Sequence, residues 1–401
     1  MPLDLEHVRA QFPALASDWT YFDNAGGSLV LKTVADRVSD YLLTTSVQTG
    51  ASYEISRQAT ARLAQARARI AHLIGAVRPE EVVFGPSTTV LMRFLATAMA
   101  SQLKPGDEII VTEFDHESNI GPWLTLQERG VVFKTWKLNP ETLAPDLAGL
   151  GELMTKRTRL VCVTHASNIL GAINPIAQIA TFVHDRGARI CVDGVAYAPH
   201  RRVNVQALDA DYYVFSFYKT YGPHFAVMYG KHAHLLELDG LYHYFYGRDK
   251  VPGKLEPGNP NYELAWGCTA IVDYLEGLGG GGGDALDRAF DAIAKHEAAL
   301  SERLLAWLRQ RNHVRIIGPS SPDRELRVPT IAFKIADREA AEIVAVTDAA
   351  KIGIRHGDFH SRRLAEALDV TDHGGVLRVS MVHYNTIQEV DRLIEVLQRV
   401  L

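Results

Sequence analysis

The stretch Y-Y-V-F-S-F-Y-K-T-Y-G-P-H-F-A-V-M-Y (212–229) contains two apolar runs separated by a lysine and a Gly-Pro turn. The runs 212–216 and 226–229 predict two buried β-strands, because they are continuously apolar rather than alternating. Lys219 lies just after the end of the first strand. A primary amine in such a position can form a Schiff base with the carbonyl group of a cofactor. A solvated lysine on a surface loop is the other interpretation, and the rest of the chain decides between them.

Five further apolar runs precede this stretch. They are E-V-V-F (81–84), E-I-I-V-T (108–112), V-V-F-K (131–134), R-L-V-C-V-T (159–164) and R-I-C-V-D (189–193). Segments with helical periodicity, such as 52–74 and 88–103, lie between several of them. The repetition of strand, helix and strand predicts an α/β fold in which helices cover a mainly parallel, seven-stranded sheet.

The glycine-rich run G-L-G-G-G-G-G-D (277–284) interrupts this alternation. After it, the pattern predicts helices at 284–312, at 337–351 and from 386, and strands at 314–318, 330–335 and 376–381. We therefore predict an N-terminal segment (1–20), a large domain (21–276) and a small C-terminal α+β domain (284–401). A flexible surface loop inside a single domain is the other interpretation of the glycine run.

Composition and charge exclude several classes of function. The 401 residues are 47% hydrophobic and 22% charged with a net charge of −5, which is typical of a globular protein that binds neither nucleic acid nor an anionic membrane. No apolar run is long enough to span a membrane, and the acidic N-terminus lacks a signal sequence, so we expect a cytoplasmic protein. Three cysteines do not make a disulfide framework, and no metal-ligand spacing such as H-E-x-x-H occurs.

Polar residues follow the ends of two predicted strands. Thr88 and Thr89 begin a helix after the strand 81–84, where hydroxyls and free N–H groups can bind an anion, although an ordinary N-cap is the simpler interpretation. Asp193 ends the strand 189–193, at the edge where α/β sheets bind ligands. Its carboxylate could keep a pyridine nitrogen protonated, or it could cap the next helix.

Three more residues have chemistry that fits the same kind of site. Asn168, in T-H-A-S-N-I-L-G, can donate a hydrogen bond to a phenolate-type oxygen or a carboxylate. His116, in E-F-D-H-E-S-N, can lie flat against an aromatic ring. Arg378, on a late strand pattern, suits bidentate binding of a carboxylate.

The order His116, Asn168, Asp193, Lys219 and Arg378 resembles class V of the fold-type I enzymes that use pyridoxal 5′-phosphate, the cysteine-desulfurase-like family. The resemblance extends from Y-F-D-N-A-G-G-S (21–28) to H-Y-N-T (383–386), nearly the whole chain. It implies that Lys219 is the Schiff-base lysine, Asp193 the partner of the pyridine nitrogen and His116 a catalytic residue stacked on the ring.

The resemblance also implies a homodimer with shared active sites. Further cofactor contacts would come from Thr88, Thr89, Asn168, Ser216 and Tyr218, and from Asn259, whose loop L-E-P-G-N-P-N-Y-E (255–263) resembles one that reaches the neighbouring subunit's phosphate. Substrate contacts would come from Ala25, Gly26, Gln48, Asn168, Arg355, His360 and Arg378.

Several positions depart from the family pattern. Ala196 stands where the family has glutamine or histidine, Tyr218 where it has histidine, and Asn259 where it has threonine. The turn Q-T-G (48–50) replaces H-R-G. The segment R-H-G-D-F-H (355–360) places His360 where a desulfurase carries the cysteine that accepts sulfur as a persulfide.

The missing cysteine changes the expected reaction. We predict a lyase acting at the β-carbon of a small L-amino acid, by β-elimination or by β-decarboxylation through an enamine. The segments D-G-V-A-Y-A-P-H (193–200) and Y-K-T-Y-G-P-H (218–224) are similar to cysteine-free relatives that add an aspartate-derived enamine to an aldehyde, so an aldehyde co-substrate is one alternative. An aminotransferase and a non-catalytic protein that binds pyridoxal phosphate are the others.

Overall fold

The computed structural model describes residues 3–139 and 141–400. Its helices are α1 (Leu5–Ala10), α2 (Lys32–Thr44), α3 (Glu54–Ile74), α4 (Thr88–Met99), α5 (Gly121–Leu124), α6 (Leu147–Leu153), α7 (Ile176–His184), α8 (His232–Glu237), α9 (Tyr262–Leu278), α10 (Ala285–Arg309), α11 (Ala340–Ala349), α12 (Arg362–Ala367) and α13 (Ile387–Leu397). Its strands are β1 (Thr20–Tyr21), β2 (Val82–Gly85), β3 (Glu108–Thr112), β4 (Val132–Trp136), β5 (Thr158–Thr164), β6 (Arg189–Asp193), β7 (Tyr212–Ser216), β8 (Ala226–Gly230), β9 (Val314–Ile317), β10 (Thr330–Ile335), β11 (Ile352–Gly353), β12 (Arg355–Gly357) and β13 (Val376–Ser380).

Seven strands form the large sheet in the order β2-β8-β7-β6-β5-β3-β4, in which β8 alone runs antiparallel to its neighbours. The predicted α/β fold is confirmed, and the seven predicted strands match the observed ones within two residues at each end. Alternate residues of a strand face two different cores: Ile110 packs in one, whereas Ile109 and Val111 pack in the other. This double burial explains why the strands are continuously apolar in sequence.

The chain after the glycine run forms a second sheet, antiparallel throughout, in the order β12-β13-β10-β9. The helix α10 connects the two parts of the molecule. Phe290 and Ile293 in its first half pack with residues of the large sheet, whereas Leu304 and Leu308 in its second half pack with the small sheet. The division into domains at residues 276 and 284 stays a prediction.

The N-terminal segment packs against the small sheet. The strand β1 pairs in parallel with β11, and Asp23 forms an isolated bridge with Ser380, the last residue of β13. Arg9 forms an ion pair with Glu389 at 2.9 Å. The sequence did not predict β1, β11 or β12, because runs of two or three residues carry no readable periodicity. Their pairing brings Asp23 next to Arg378.

Within the described ranges, no helix is both long and apolar enough to cross a membrane.

Candidate active site

A cavity lies at the carboxyl edge of the large sheet. Because β2, β3, β5, β6 and β7 run in the same direction, the loops that follow them meet at this edge. The cavity is lined by Ser87, Thr88, Thr89, His116, Ser118, Thr164, Ala166, Asn168, Asp193, Val195, Ala196, Ser216, Tyr218 and Lys219. Eight of the residues predicted to bind cofactor or substrate are therefore brought together in one place, together with Ala196.

Lys219 ends a single helical turn that follows β7 directly. Its side chain is buried, and its Nζ makes no hydrogen bond to any residue in the described part of the chain. Burial, reinforced by the charge of Arg378, lowers the pKa of the Lys219 amine to about 8, although Asp193 opposes the effect. A buried amine with this pKa is partly neutral near pH 7, and the neutral amine is the form that attacks a carbonyl group.

Asp193 is buried at the end of β6, and burial raises the pKa of its carboxyl group. The Val195 backbone N–H donates to its Oδ1 at 2.9 Å, and the nearby Lys219 amine also favours the ionised form. The following residue has to be glycine, because a Cβ on Gly194 would lie 2.1 Å from the ring of Tyr213. The Tyr213 hydroxyl is itself held by His165 Nδ1 at 2.9 Å.

His116 presents a neutral imidazole to the cavity. Its Nδ1 accepts a hydrogen bond from the Ser118 backbone N–H at 3.1 Å, which leaves the proton on Nε2. Burial, with smaller contributions from Lys219 and His360, lowers the pKa of His116 to about 3. An uncharged ring at this position is suited to lie against an aromatic cofactor.

The N-terminus of α4 forms a cradle of hydroxyl groups. Ser87 is its N-cap and accepts from the Val90 N–H at 3.3 Å, so neither threonine hydroxyl is needed for capping. Thr88 Oγ1 lies 2.7 Å from Ser216 Oγ, and the Thr88 N–H donates to the same oxygen at 3.3 Å. The free N–H groups and the dipole of the helix favour an anion here.

Arg378 lies behind the cavity lining on β13. Its Nη2 donates to Asp23 Oδ1 at 2.8 Å and its Nη1 to the Asn168 carbonyl oxygen at 3.3 Å. Arg355 Nη1 approaches the other oxygen of Asp23 at 3.6 Å. Burial lowers the pKa of Arg378, and Asp23 opposes this effect. The role of Asp23 could not be read from the sequence, because its partner is 355 residues away.

The Asn168 side chain is bound at both ends by the loop after β12. Its Nδ2 donates to the Phe359 carbonyl oxygen at 2.9 Å, and its Oδ1 accepts from Ser361 Oγ at 2.8 Å. The exposed His360 ring lies 5.4 Å from the ring of His116, measured between centroids. The segment 355–357, which the sequence did not predict as a strand, is an edge strand that pairs with β13.

Seven of the expected residues are not among those that line the cavity in the part of their own chain that the structure describes: Arg355, His360 and Arg378, whose contacts are given above, and Ala25, Gly26, Gln48 and Asn259. The Ala25 N–H donates to Ser380 Oγ at 2.8 Å, and Gly26 packs so close to Asp23 that a Cβ would lie 2.7 Å from a carboxylate oxygen. Gln48 and Asn259 are both exposed, and Tyr262 donates to Gln48 Oε1 at 3.4 Å. Their roles in substrate and phosphate binding stay predictions.

The sequence did not point to Ser118 or Thr164, which also line the cavity. Ser118 could have been found by its position two residues after His116. All three cysteines are buried: Cys162 and Cys191 face each other across β5 and β6, and Cys268 lies in α9. None of them is among the residues that line the cavity.

The donor set fits pyridoxal 5′-phosphate. An unbonded buried amine, a buried carboxyl group, a neutral imidazole and hydroxyls at a helix N-terminus correspond to the carbonyl, ring nitrogen, ring face and phosphate of this cofactor. Together with the mostly parallel seven-stranded sheet, they define a pyridoxal phosphate-dependent enzyme of fold-type I. The chain belongs to the aminotransferase class-V family, whose model matches residues 20–393.

Individual relatives agree with this assignment. The aminotransferase-like protein FGM3 of Gibberella zeae is 43% identical, over 99% of this chain and 98% of its own. A cysteine desulfurase of Serratia proteamaculans is 32% identical, over 100% of this chain and 99% of its own. The solved structure of the apo cysteine desulfurase from Thermococcus onnurineus NA1 superposes with a TM-score of 0.89 at 26% identity, over 100% of this chain and 98% of that one.

Proposed function

We propose that this chain is a lyase that acts at the β-carbon of a small L-amino acid without forming a protein persulfide. The observation that carries the proposal is a contrast within one site. Lys219, Asp193 and Arg378 keep the groups that an amino-acid reaction needs, whereas no cysteine lines the cavity and His360 stands at the position of the sulfur acceptor.

Pyridoxal phosphate supplies an electron sink when it is bound. Asp193, with its carboxylate held by the Val195 N–H, favours a positive charge on the ring nitrogen. Lys219 Nζ can take a proton from the α-carbon and return it, because its pKa of about 8 lies near neutral pH. Arg378 offers a buried guanidinium to the α-carboxylate of the amino acid.

The groups around the expected β-substituent are basic. Arg355 and His360 are exposed on one side of the site, and His360 faces His116. Such groups favour an anionic β-substituent, as in aspartate or cysteine sulfinate, over a neutral thiol. This observation supports β-decarboxylation, with or without capture of an aldehyde by the resulting carbon nucleophile, as the second candidate.

We also propose that the working form is a homodimer with shared sites. Leu42 and Leu43 on α2 are exposed, Leu43 by 82%, and the exposed Gln48 follows them closely in the chain. Exposed apolar residues of this size favour a protein interface. Gln48 and Asn259, which are exposed on their own chain, would then be available to the site of the partner.

The test uses the purified chain reconstituted with pyridoxal phosphate. We expect a visible absorbance band that is lost in Lys219→Ala and kept in Lys104→Ala, which changes an exposed lysine. Incubation with L-aspartate, L-cysteine and L-cysteine sulfinate, followed by assays for carbon dioxide, sulfide, sulfite and alanine, identifies the bond that is broken. A protein-bound persulfide formed from L-cysteine would contradict the proposal.

A further inference from the structure

The loop between β12 and α12 (358–361) has an uncommon backbone conformation. Phe359 and His360 have φ values of 52° and 58°, both in the left-handed region that residues with bulky side chains rarely adopt. Two consecutive residues of this kind persist only where the surroundings hold them. Contacts around the loop therefore have to hold this conformation, which in turn determines where its side chains lie.

Three hydrogen bonds supply the restraint. The Phe359 carbonyl oxygen accepts from Asn168 Nδ2 at 2.9 Å, and Ser361 Oγ donates to Asn168 Oδ1 at 2.8 Å. The His360 carbonyl oxygen accepts from the Glu117 N–H at 2.8 Å. The loop is thus attached to two of the segments that form the cavity.

The result of this conformation is the position of the Phe359 ring. The ring is buried, and its centroid lies 3.7 Å from the Arg378 guanidinium carbon, the distance of close stacking. Two guanidinium nitrogens of Arg378 are already paired, Nη2 with Asp23 and Nη1 with Asn168. Its Nε is buried and has no partner among the described residues.

We propose that Phe359 is a positioning residue for recognition of the substrate α-carboxylate. Its ring covers one face of the guanidinium and holds the plane of Arg378 fixed, so that the unpaired Nε is offered to an incoming carboxylate oxygen. A long side chain that is already ordered loses less entropy on binding than a mobile one. This inference rests on the proposed role of Arg378 in binding the α-carboxylate.

The experiment compares two probes that differ only in the carboxylate, L-alanine and ethylamine. Each is titrated into the reconstituted protein, and the change in visible absorbance gives its Kd. We expect Phe359→Leu, which keeps the apolar volume but removes the ring, to weaken L-alanine about two- to tenfold and to leave ethylamine unchanged. Phe359→Tyr, which keeps the ring, should bind both probes as the wild type does.

Matched variants separate positioning from folding. Phe182→Leu also removes a ring that stacks on an arginine. The guanidinium carbon of Arg186 lies 3.5 Å from the Phe182 ring centroid, and neither residue lines the cavity, so this variant should change neither affinity. Phe359→Met serves as a second ring-free variant if the leucine variant unfolds. Unchanged L-alanine affinity in the ring-free variants, or equal weakening of both probes, would overturn the inference.

Failure of the proposed function gives a different result. If Arg378→Gln binds L-alanine as tightly as the wild type does, Arg378 does not bind the carboxylate, and the inference falls with that assignment. If Arg378→Gln weakens L-alanine but the ring-free variants do not, the proposed function stands and only the role of Phe359 is overturned.

Discussion

Replacing Lys219 with methionine should stabilise the cofactor-free protein at neutral pH. Burial and the charge of Arg378 lower the pKa of the amine from 10.5 to about 8 in the folded state. A difference of one unit between the pKa of the folded and the unfolded state corresponds to about 1.4 kcal/mol. The charged amine therefore destabilises the folded state by on the order of 3 kcal/mol. Methionine removes the charge and keeps most of the volume.

The difference in free energy of unfolding between Lys219→Met and the wild type should decrease as the pH rises. Below about pH 8 the amine is protonated in both states, so the wild type carries the full destabilisation. Between about pH 8 and 10.5 the folded state has released the proton while the unfolded state still holds it, so the free energy of unfolding of the wild type rises. Above pH 10.5 the difference attributable to this charge is gone.

Calorimetric melting of the cofactor-free proteins measures this difference. With an unfolding entropy of about 2.1 cal/mol/K per residue, 3 kcal/mol raises the Tm of a chain of this length by about 4 °C. We expect that shift at pH 7 and almost none at pH 10.5, and no shift for the exposed control Lys104→Met. A Lys219→Met protein that melts below the wild type at pH 7, or a shift that is the same at both pH values, would refute the reasoning.

Four further outcomes are expected. The rate at which the cofactor-free protein binds pyridoxal phosphate covalently should rise with pH to a midpoint near 8, and a stopped-flow midpoint above 10 would contradict the lowered pKa of Lys219. Asp193→Asn should lower the pKa of the bound cofactor's ring nitrogen by about 1 to 3, measured by absorbance against pH, because the opposing charge is lost. Gly194→Ala should destabilise the protein by several kcal/mol and abolish cofactor binding, since its Cβ would lie 2.1 Å from Tyr213; Gly277→Ala, which meets nothing within 4 Å, should do neither. His360→Cys should form a persulfide with L-cysteine that a thiol-trapping reagent and mass spectrometry detect, and an unmodified cysteine would show that position alone does not restore the chemistry.

The large sheet could be predicted because its strands are buried on two faces. In β3, Ile109 and Ile110 both have to be apolar since they face different cores, and such a run is readable without knowledge of its neighbours. The pairs β1 with β11 and β12 with β13 could not be predicted. They involve two or three residues each, and their stability comes from partners far along the chain.

The part of the cavity that lies at the ends of these buried strands could also be predicted from the sequence. Lys219 and Asp193 follow strands whose ends are visible in the sequence, so their meeting at one edge follows from the parallel order. The contacts that orient Arg378 and Asn168 could not be predicted, because Asp23 and Phe359 reach them through tertiary packing. The close packing of Tyr213 against Gly194 is likewise visible only in three dimensions.

The residues that form the core of the fold are apolar, whereas the buried residues of the candidate site are charged. Lys219, Asp193 and Arg378 are charged residue types that are rarely buried. Burial lowers the pKa of Lys219 and Arg378 and raises that of Asp193, and each of these shifts favours the neutral form of the side chain. Such an arrangement lowers the stability of the protein alone. With the roles proposed above, a cofactor that brings a cationic ring nitrogen to Asp193 and a phosphate to the N-terminus of α4 would bind the folded state and offset that loss. The same burial that lowers the pKa of Lys219 would therefore make the stability of the folded chain depend on the bound cofactor.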